Sequence, residues 1–305
     1  MRLLTRDDFD GLACAALLAE KGVIDEYFFV HPREIQEGSV AVTEEDVLAN
    51  VPYVPGCGLW FAHHSDKEQP DVKKMDFKGD CRPSTSSAQV IWDHYGGAET
   101  FGENFLPLLE AVNTVATADL TLDEILLAEE WIILAFIIDP RTGLTQLDDY
   151  SISNKQFYLD MIDYCRTKTI EEILQIPDVQ ERVDRYNEQQ ILFKDMLRRC
   201  SEDHRNVVVT NLLDEEIVYC GNRFVIYASH PDQNIDIRLE WDKNRENVAF
   251  SCGHSIRNRT GKTNVGELMR KYGGGGHEKA GSCRVPKDKW QQVLEEIIEQ
   301  MKKDG

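Results

Sequence analysis

The sequence lacks the features of a membrane protein and of a disulfide-rich or zinc-binding one. Its longest apolar run, Trp131 to Ile138, is too short to span a bilayer, and Met1 to Arg6 lacks the pattern of a signal peptide. The eight cysteines include no Cys-x-x-Cys pair, which argues against a zinc knuckle or a disulfide framework and favours reduced thiols. We therefore expect a cytoplasmic protein that does not enter a membrane.

Positive charge is scarce in the first two thirds of the chain. The 305 residues include 34 Lys and Arg against 54 Asp and Glu, for a net charge of -20. Residues 205–305 hold 16 basic and 15 acidic side chains, so residues 1–204 hold 18 and 39, a balance of -21. This excludes a long basic track for duplex nucleic acid but permits a small phosphorylated ligand beside bound divalent cations. The length allows two domains, and 42% apolar residues indicates a globular chain.

The stretch from Leu3 to Ala16 carries the first candidate site. A short apolar run ends in Asp8 and Asp10, and the apolar pattern of a buried helix begins after Gly11. Carboxylates two residues apart at a strand end can present several oxygens to one divalent cation. The alternative is ordinary turn chemistry, with Asp10 as a helix cap.

Two later motifs supply the context for these carboxylates. Gly58 to Ala62 is another apolar strand, which ends in His63 and His64. Tyr272 is followed by four glycines and His277, which is more glycine than a helix end requires. The surplus would let backbone N–H groups close on an anion.

Together, Asp-x-Asp-Gly, the His-His pair and Gly-Gly-Gly-His resemble the DHH phosphoesterase superfamily with its DHHA1 C-terminal domain, near the exopolyphosphatase-related and nanoRNase-like branch. The resemblance covers about residues 1–120 and 205–285. It implies an α/β fold: a parallel-sheet DHH domain with helices on both faces and a smaller mixed α+β DHHA1 domain. We expect these domains at residues 1–178 and 205–305, joined by a connecting helix at 179–204.

The resemblance also implies a pair of Mn²⁺ or Mg²⁺ ions and a set of site residues. Asp8 and Asp10 would serve one ion each, Asp46 would bridge, and His64 would turn toward the phosphate. The implied metal ligands are Asp8, Asp10, Asp46, His63 and Asp119, and the implied catalytic residues are His64, Asp10 and Asp46. Since Glu44 and Glu45 adjoin Asp46, the identity of the bridging carboxylate stays open.

The local pattern predicts the elements that would carry these residues. Val40 to Val42 reads as a strand, and Thr43 as the cap of a helix that begins with the acidic residues after it. Arg223 to Ala228 and Val248 to Ile256 read as strands of the second half.

The predicted substrate-binding residues lie in the second half: Arg257, Arg259, Gly274, Gly275, Gly276 and His277. Strand alternation over Ser251 to Arg259 would place both arginines on one face, beside the glycine cradle. The alternative is that they are ordinary solvated arginines.

The sequence departs from the family pattern at two places. Ala62 stands where relatives carry the Asp before the two histidines, and Leu4 and Arg6 stand where many have a histidine before the first Asp. Losing such an Asp, which orients the metal-binding imidazole, commonly costs about 10- to 100-fold in metal affinity or activity.

We therefore expect a metal-dependent phosphoesterase whose ions activate a hydroxide in a cleft between the domains. Four substrates fit equally: a short single-stranded oligonucleotide, a 3′-phosphoadenosine-type nucleotide, a dinucleotide or polyphosphate. The alternative is an impaired relative that binds nucleotides as a sensor or scaffold. Whether the chain forms a homodimer is left open.

Overall fold

A computed structural model describes residues 1–63 and 75–305. The chain divides into two compact units, Met1–Tyr186 and Asn187–Gly305. The division falls inside one long helix, Pro177–Cys200, whose buried positions follow a helical stripe. The domain limits expected from the sequence stay a prediction.

The first unit is built on a parallel sheet. Its strands are β1 (Arg2–Thr5), β2 (Glu26–Phe29), β3 (Asp46–Ala49), β4 (Leu59–Ala62) and β5 (Gly79–Cys81), in the order β2-β1-β3-β4-β5. The inner strands β1, β3 and β4 are almost wholly buried, as expected of strands covered on both faces. One face packs a cluster of Leu4, Val30, Ile35, Leu48, Val51, Trp60 and Ala62.

Ten helices begin within the described part of the first unit. They are α1 (Phe9–Glu20), α2 (Pro32–Gln36), α3 (Ser87–His94), α4 (Ala98–Phe101), α5 (Leu106–Ala116), α6 (Leu122–Leu126), α7 (Glu130–Ile138), α8 (Asn154–Thr167), α9 (Ile170–Ile173) and α10 (Pro177–Cys200). Short 3-10 turns lie at Glu103–Phe105, Pro140–Thr142 and Leu144–Gln146. The α/β class expected from the sequence is confirmed.

Two local predictions in this unit are wrong. Residues 40–42 form no strand, and the helix expected after Thr43 is instead strand β3, which begins at Asp46. Asp46 accepts hydrogen bonds from the Thr43 backbone and hydroxyl, as the acidic residue of a helix start would. The chain nonetheless continues as a strand, because residues 46–49 pair with β1 and β4.

The second unit carries a mixed sheet with helices. Its strands are β6 (Ser201–His204), β7 (Val207–Asn211), β8 (Ile235–Trp241), β9 (Asn247–His254), β10 (Gly275–His277) and β11 (Ala280–Pro286), in the order β10-β11-β9-β8-β7-β6. Only β7 and β8 pair in parallel among these described strands. Its other helices are α11 (Val225–Ser229), α12 (Val265–Arg270) and α13 (Trp290–Asp304).

The segment expected as a strand at Arg223 to Ala228 is instead a turn followed by helix α11, which begins at Val225. The side-chain oxygen of Asn222 accepts the backbone N–H of Phe224 and favours that turn. Within the described residues, no helix combines the length and the hydropathy needed to cross a bilayer.

Candidate functional site

Asp8 lies where the chain leaves β1 and enters α1. It caps the helix, since its Oδ1 accepts the backbone N–H of Gly11 at 3.0 Å. The same oxygen accepts the Asn50 side-chain amide at 2.9 Å, and Oδ2 lies 3.1 Å from Arg6 Nε. Gly11 is required, because a Cβ there would overlap the Arg6 carbonyl oxygen. Asp8 is thus a buried carboxylate with a cationic partner.

Asp10, in the first turn of α1, is held by another helix. Its Oδ2 accepts the backbone N–H of Ser87 at 3.0 Å and its Oδ1 that of Ala88 at 2.9 Å, both in the first turn of α3. Burial raises the pKa of Asp10, the nearby imidazole of His63 opposes the rise, and the charge of Asp8 adds to it. The two carboxylates are therefore close enough to interact.

His63 follows β4 and reaches the same place. Its Nδ1 lies 3.6 Å from Asp10 Oδ2 and 2.8 Å from the Ser87 hydroxyl. Three of the predicted residues, Asp8, Asp10 and His63, thus come together past the carboxyl ends of β1 and β4, where ligands bind in parallel sheets.

Sequence reasoning missed three residues of this site. Asn50 follows β3, with the positive φ of 57° that Asn tolerates better than most residues. The Tyr158 hydroxyl donates to the backbone carbonyl of Asp8 at 2.6 Å and fixes that loop from 150 positions along the chain. Ser87 begins α3 and places its hydroxyl 2.8 Å from His63 Nδ1. The sequence did carry a signal for Asn50, because a polar amide ends the apolar run Val47 to Ala49. Tyr158 had no local signal.

The expectation that Asp46 bridges two ions at this site is wrong on position. Asp46 starts β3, opposite Arg2 at the start of β1, so it lies at the amino ends of the strands. It pairs with the Arg2 guanidinium through contacts of 2.7 Å and 3.0 Å. Four residues of extended strand, about 13 Å, separate Asp46 from Asn50, which contacts Asp8 at the candidate site.

Two other predicted site residues stay predictions. Asp119 is exposed just after α5, and its backbone N–H donates to the Thr114 carbonyl. His64 lies outside the described residues.

The donor types at this site, carboxylate oxygen and imidazole nitrogen, are ones that divalent cations accept. In residues 1–63 and 75–305, no group of three or more His, Cys, Asp or Glu side chains is arranged to hold a metal ion. Because His63 Nδ1 contacts the Ser87 hydroxyl at 2.8 Å, Nε2 is the ring nitrogen that would bind a metal ion, together with a carboxylate oxygen of Asp10. Carboxylate oxygen with one imidazole suits Mn²⁺ or Mg²⁺.

In the second unit, the glycine run forms a strand rather than an open loop. Residues 275–277 are β10, which pairs antiparallel with β11, Gly276 opposite Gly281. A Cβ at Gly274 would overlap the Ser282 carbonyl oxygen, and a Cβ at Gly276 would overlap the Ala280 carbonyl oxygen. Close packing therefore requires glycine at both positions. Gly275 alone in the run has an ordinary φ and open space where a side chain would go.

The strand expected through Arg257 and Arg259 ends earlier, at His254. The Ser255 hydroxyl accepts the backbone N–H groups of Arg257 and Asn258, which turns the chain out of the sheet. Both arginines are exposed, and Arg259 Nε donates to the Ile256 carbonyl at 3.0 Å. The alternation argument that put them on one strand face is wrong, while their part in substrate binding stays a prediction.

Comparison with known proteins gives consistent matches. Residues 194–303 match the family model of the DHHA1 domain. A solved structure of a pGpG-specific phosphodiesterase, PggH from Vibrio cholerae, is similar over 100% of this chain and 99% of its own, with 42% identity and a TM-score of 0.87. No curated protein matches the chain.

More distant structures share the fold. An exopolyphosphatase-related protein from Bacteroides fragilis is 12% identical, with a TM-score of 0.51, over 98% of this chain and 91% of its own. RecJ from Thermus thermophilus, in complex with Mg²⁺, is 11% identical with a TM-score of 0.55, over 99% of this chain and 49% of its own.

Proposed function

Because this chain belongs to the DHH phosphoesterase superfamily and carries its DHHA1 domain, we propose that it hydrolyses short linear dinucleotides of the pGpG class with the help of divalent cations. The observation that carries the proposal is the 42% identity, over almost the whole of both chains, to a pGpG-specific phosphodiesterase. Of the four substrates that the sequence left open, this favours the dinucleotide.

The geometry of the first unit supports hydrolysis. A divalent cation bound at Asp10 and His63 would supply positive charge to the phosphate and lower the pKa of a bound water. The α3 backbone N–H groups hold Asp10, and the Ser87 hydroxyl holds the His63 ring, so both side chains are fixed before substrate arrives. His64 and Asp119 remain candidates to complete the site.

In the second unit, we assign substrate binding to Gly275, His277 and the two arginines. Gly275 leaves its backbone open to close approach, and His277 is exposed at the end of the same strand. Arg257 and Arg259 offer guanidinium groups that suit phosphate. The near-neutral balance of residues 205–305 is compatible with an anionic ligand.

The test is hydrolysis of pGpG by purified protein with Mn²⁺, beside a cyclic dinucleotide, a 3′-phosphoadenosine-type nucleotide and polyphosphate. We expect pGpG to be cleaved fastest, and Asp10→Asn to lower the rate more than ~100-fold, since loss of a ligand's partner alone costs about 10–100-fold. Asp163→Asn, on an exposed carboxylate of α8, is the matched control and keeps the parent rate. Faster cleavage of polyphosphate than of pGpG would contradict the proposed substrate.

A second candidate, nucleotide binding without turnover, is favoured by Ala62. This residue is fully buried in the apolar cluster of the first sheet, while the Ser87 hydroxyl contacts the His63 ring. We expect the parent to cleave pGpG, and Ala62→Asp to unfold more readily without gaining activity, because a carboxylate there is buried among apolar side chains. A parent that binds pGpG without cleaving it, beside an active Ala62→Asp variant, would establish the second candidate.

A further inference from the structure

The sheet of the second unit has two unlike faces. On one face, alternate residues of β9 and β11 pack into an apolar core with α12 and α13. The residues between them point to the other face, because successive side chains of a strand alternate. In the described part of the chain Ser251, Ser282 and Arg284 are exposed there. We call this surface of β9, β10 and β11 the open face, formed by Ser251, Gly253, Gly275, His277, Ser282 and Arg284.

The open face includes the residues of the glycine run that we assign to substrate binding. Ser251 lies directly opposite Ser282, and Ser282 lies directly opposite Gly275. Residues opposite each other in antiparallel strands point to the same side, about 5 Å apart, and His277 follows Gly275 by two residues. A nucleotide whose phosphate is bound at Gly275 and His277 can therefore lay its base across Ser282 and Ser251.

The shape of the open face suits a planar group. Ser251 and Ser282 carry short side chains, and a Cβ at Gly275 would meet nothing within 4 Å. The face is bounded at Gly253, because a Cβ there would lie 3.0 Å from the Tyr227 hydroxyl of α11. The two serine hydroxyls can each donate or accept a hydrogen bond at the edge of a base.

Arg284 supplies the positive charge of β11 on this face. It follows Ser282 by two residues, about 7 Å along the strand. On the neighbouring strand β8 the Arg238 guanidinium donates to Glu240, whereas within residues 1–63 and 75–305 Arg284 forms no ion pair. Its paired N–H donors are therefore available to a ligand.

The chemistry of the open face distinguishes the two purines. An arginine donates two N–H groups to the O6 and N7 acceptors of guanine, whereas adenine presents an amino donor in place of O6. Asparagine and glutamine, which pair with adenine, do not occur among the six residues of the open face. The face is thus complementary to guanine.

We propose that the open face is a guanine subsite, in which Arg284 determines the specificity by donating to O6 and N7 and the base lies over Ser251 and Ser282. The inference rests on the proposed function for the dinucleotide substrate. It goes beyond that function by naming the residue that distinguishes guanine from adenine.

The test compares kcat/KM for pGpG and pApA on the full chain with Mn²⁺. We expect the parent to prefer pGpG. Arg284→Gln should lower the ratio of the two values by about 5- to 150-fold, the discrimination that one bidentate pair gives, because glutamine pairs with adenine. Arg284→Lys, which keeps the charge without the paired donors, should also lose the preference. Arg198→Gln, on an exposed arginine of α10, is the matched control and keeps the parent's ratio.

A second variant tests the surface on which the base would lie. Ser251→Val suits a strand but fills the space above the sheet, so it should raise KM for both dinucleotides and leave their ratio unchanged. Thermal unfolding checks that each variant folds as the parent does.

An Arg284→Gln variant with the parent's ratio would overturn the inference, as would a parent that cleaves both dinucleotides equally well or a Ser251→Val variant with the parent's KM. Each of these results in a protein that cleaves pGpG leaves the proposed function in place. A parent that binds the dinucleotides without cleaving them rejects the function. The ratio of dissociation constants, from titration calorimetry with Mn²⁺, then decides the inference by the same criterion, and a parent that binds neither dinucleotide rejects both.

Discussion

Replacing Asp46 by Asn tests whether this residue pairs with Arg2, as in the structure, or bridges metal ions, as the sequence suggested. Asp46 is 1% exposed and accepts two hydrogen bonds from Arg2 and two from Thr43. An amide keeps one acceptor oxygen but loses the charge that pairs with Arg2. We therefore expect Asp46→Asn to destabilise the first unit and to leave Mn²⁺ affinity unchanged.

The magnitude follows from the contacts. Hydrogen bonds to charged groups contribute about 1.5–3 kcal/mol each, and removing one partner of a buried pair costs about 3–5 kcal/mol. The Arg2 side chain is 33% exposed and can regain water, which lowers the cost to about 2 kcal/mol. For a unit of this size that corresponds to a fall in Tm of about 4–8 °C.

The pH dependence has a defined sign. Burial raises the pKa of Asp46, but the hydrogen bonds from Arg2 and Thr43 outweigh it and hold the pKa below its ordinary value. A carboxyl with a depressed folded-state pKa stabilises above its unfolded pKa, about 3.9, and loses that stabilisation as pH falls through the folded pKa. The difference in Tm between parent and variant should be full at pH 7 and shrink below about pH 4.

The assay is thermal unfolding across pH together with Mn²⁺ titration calorimetry. Asp10→Asn serves as the comparison, because it should weaken Mn²⁺ binding. An Asp46→Asn variant with parental stability and the Mn²⁺ affinity of Asp10→Asn would refute the placement of Asp46 at the amino ends of the strands.

Three further predictions concern the site and the second unit. Ser87→Ala removes the hydroxyl on the His63 ring and should weaken Mn²⁺ binding about 10- to 100-fold by calorimetry; unchanged affinity would contradict that role. Gly276→Ala should lower the free energy of unfolding by about 1–3 kcal/mol in thermal unfolding, whereas Gly275→Ala, which has open space for its Cβ, should stay near the parent. Equal losses in the two variants would contradict the packing argument. Burial raises the pKa of Asp236 to about 6, so the stability of the parent should fall as pH rises from about 4 to 6. Asp236→Asn should lack this decline, and the same dependence of stability on pH in both proteins would refute the prediction.

The parts of the site that the sequence predicted are those encoded locally. Asp8 and Asp10 lie in a strand, a loop and a helix that follow one another within 20 residues, and the hydrophobic pattern marks all three. His63 likewise follows a buried run of four residues. Each of these residues follows the carboxyl end of a parallel strand, and that is enough to predict that it lies at the ligand-binding edge of the sheet.

The errors arise where a side chain, rather than the hydrophobic pattern, decides the local structure. Ser255 takes two backbone N–H groups and ends β9, and the Asn222 side chain accepts the Phe224 N–H in the turn before α11. Such competition between side chain and backbone is not visible in periodicity. Tyr158 was missed for another reason, because its contact with the Asp8 carbonyl depends on how α8 packs in the finished fold.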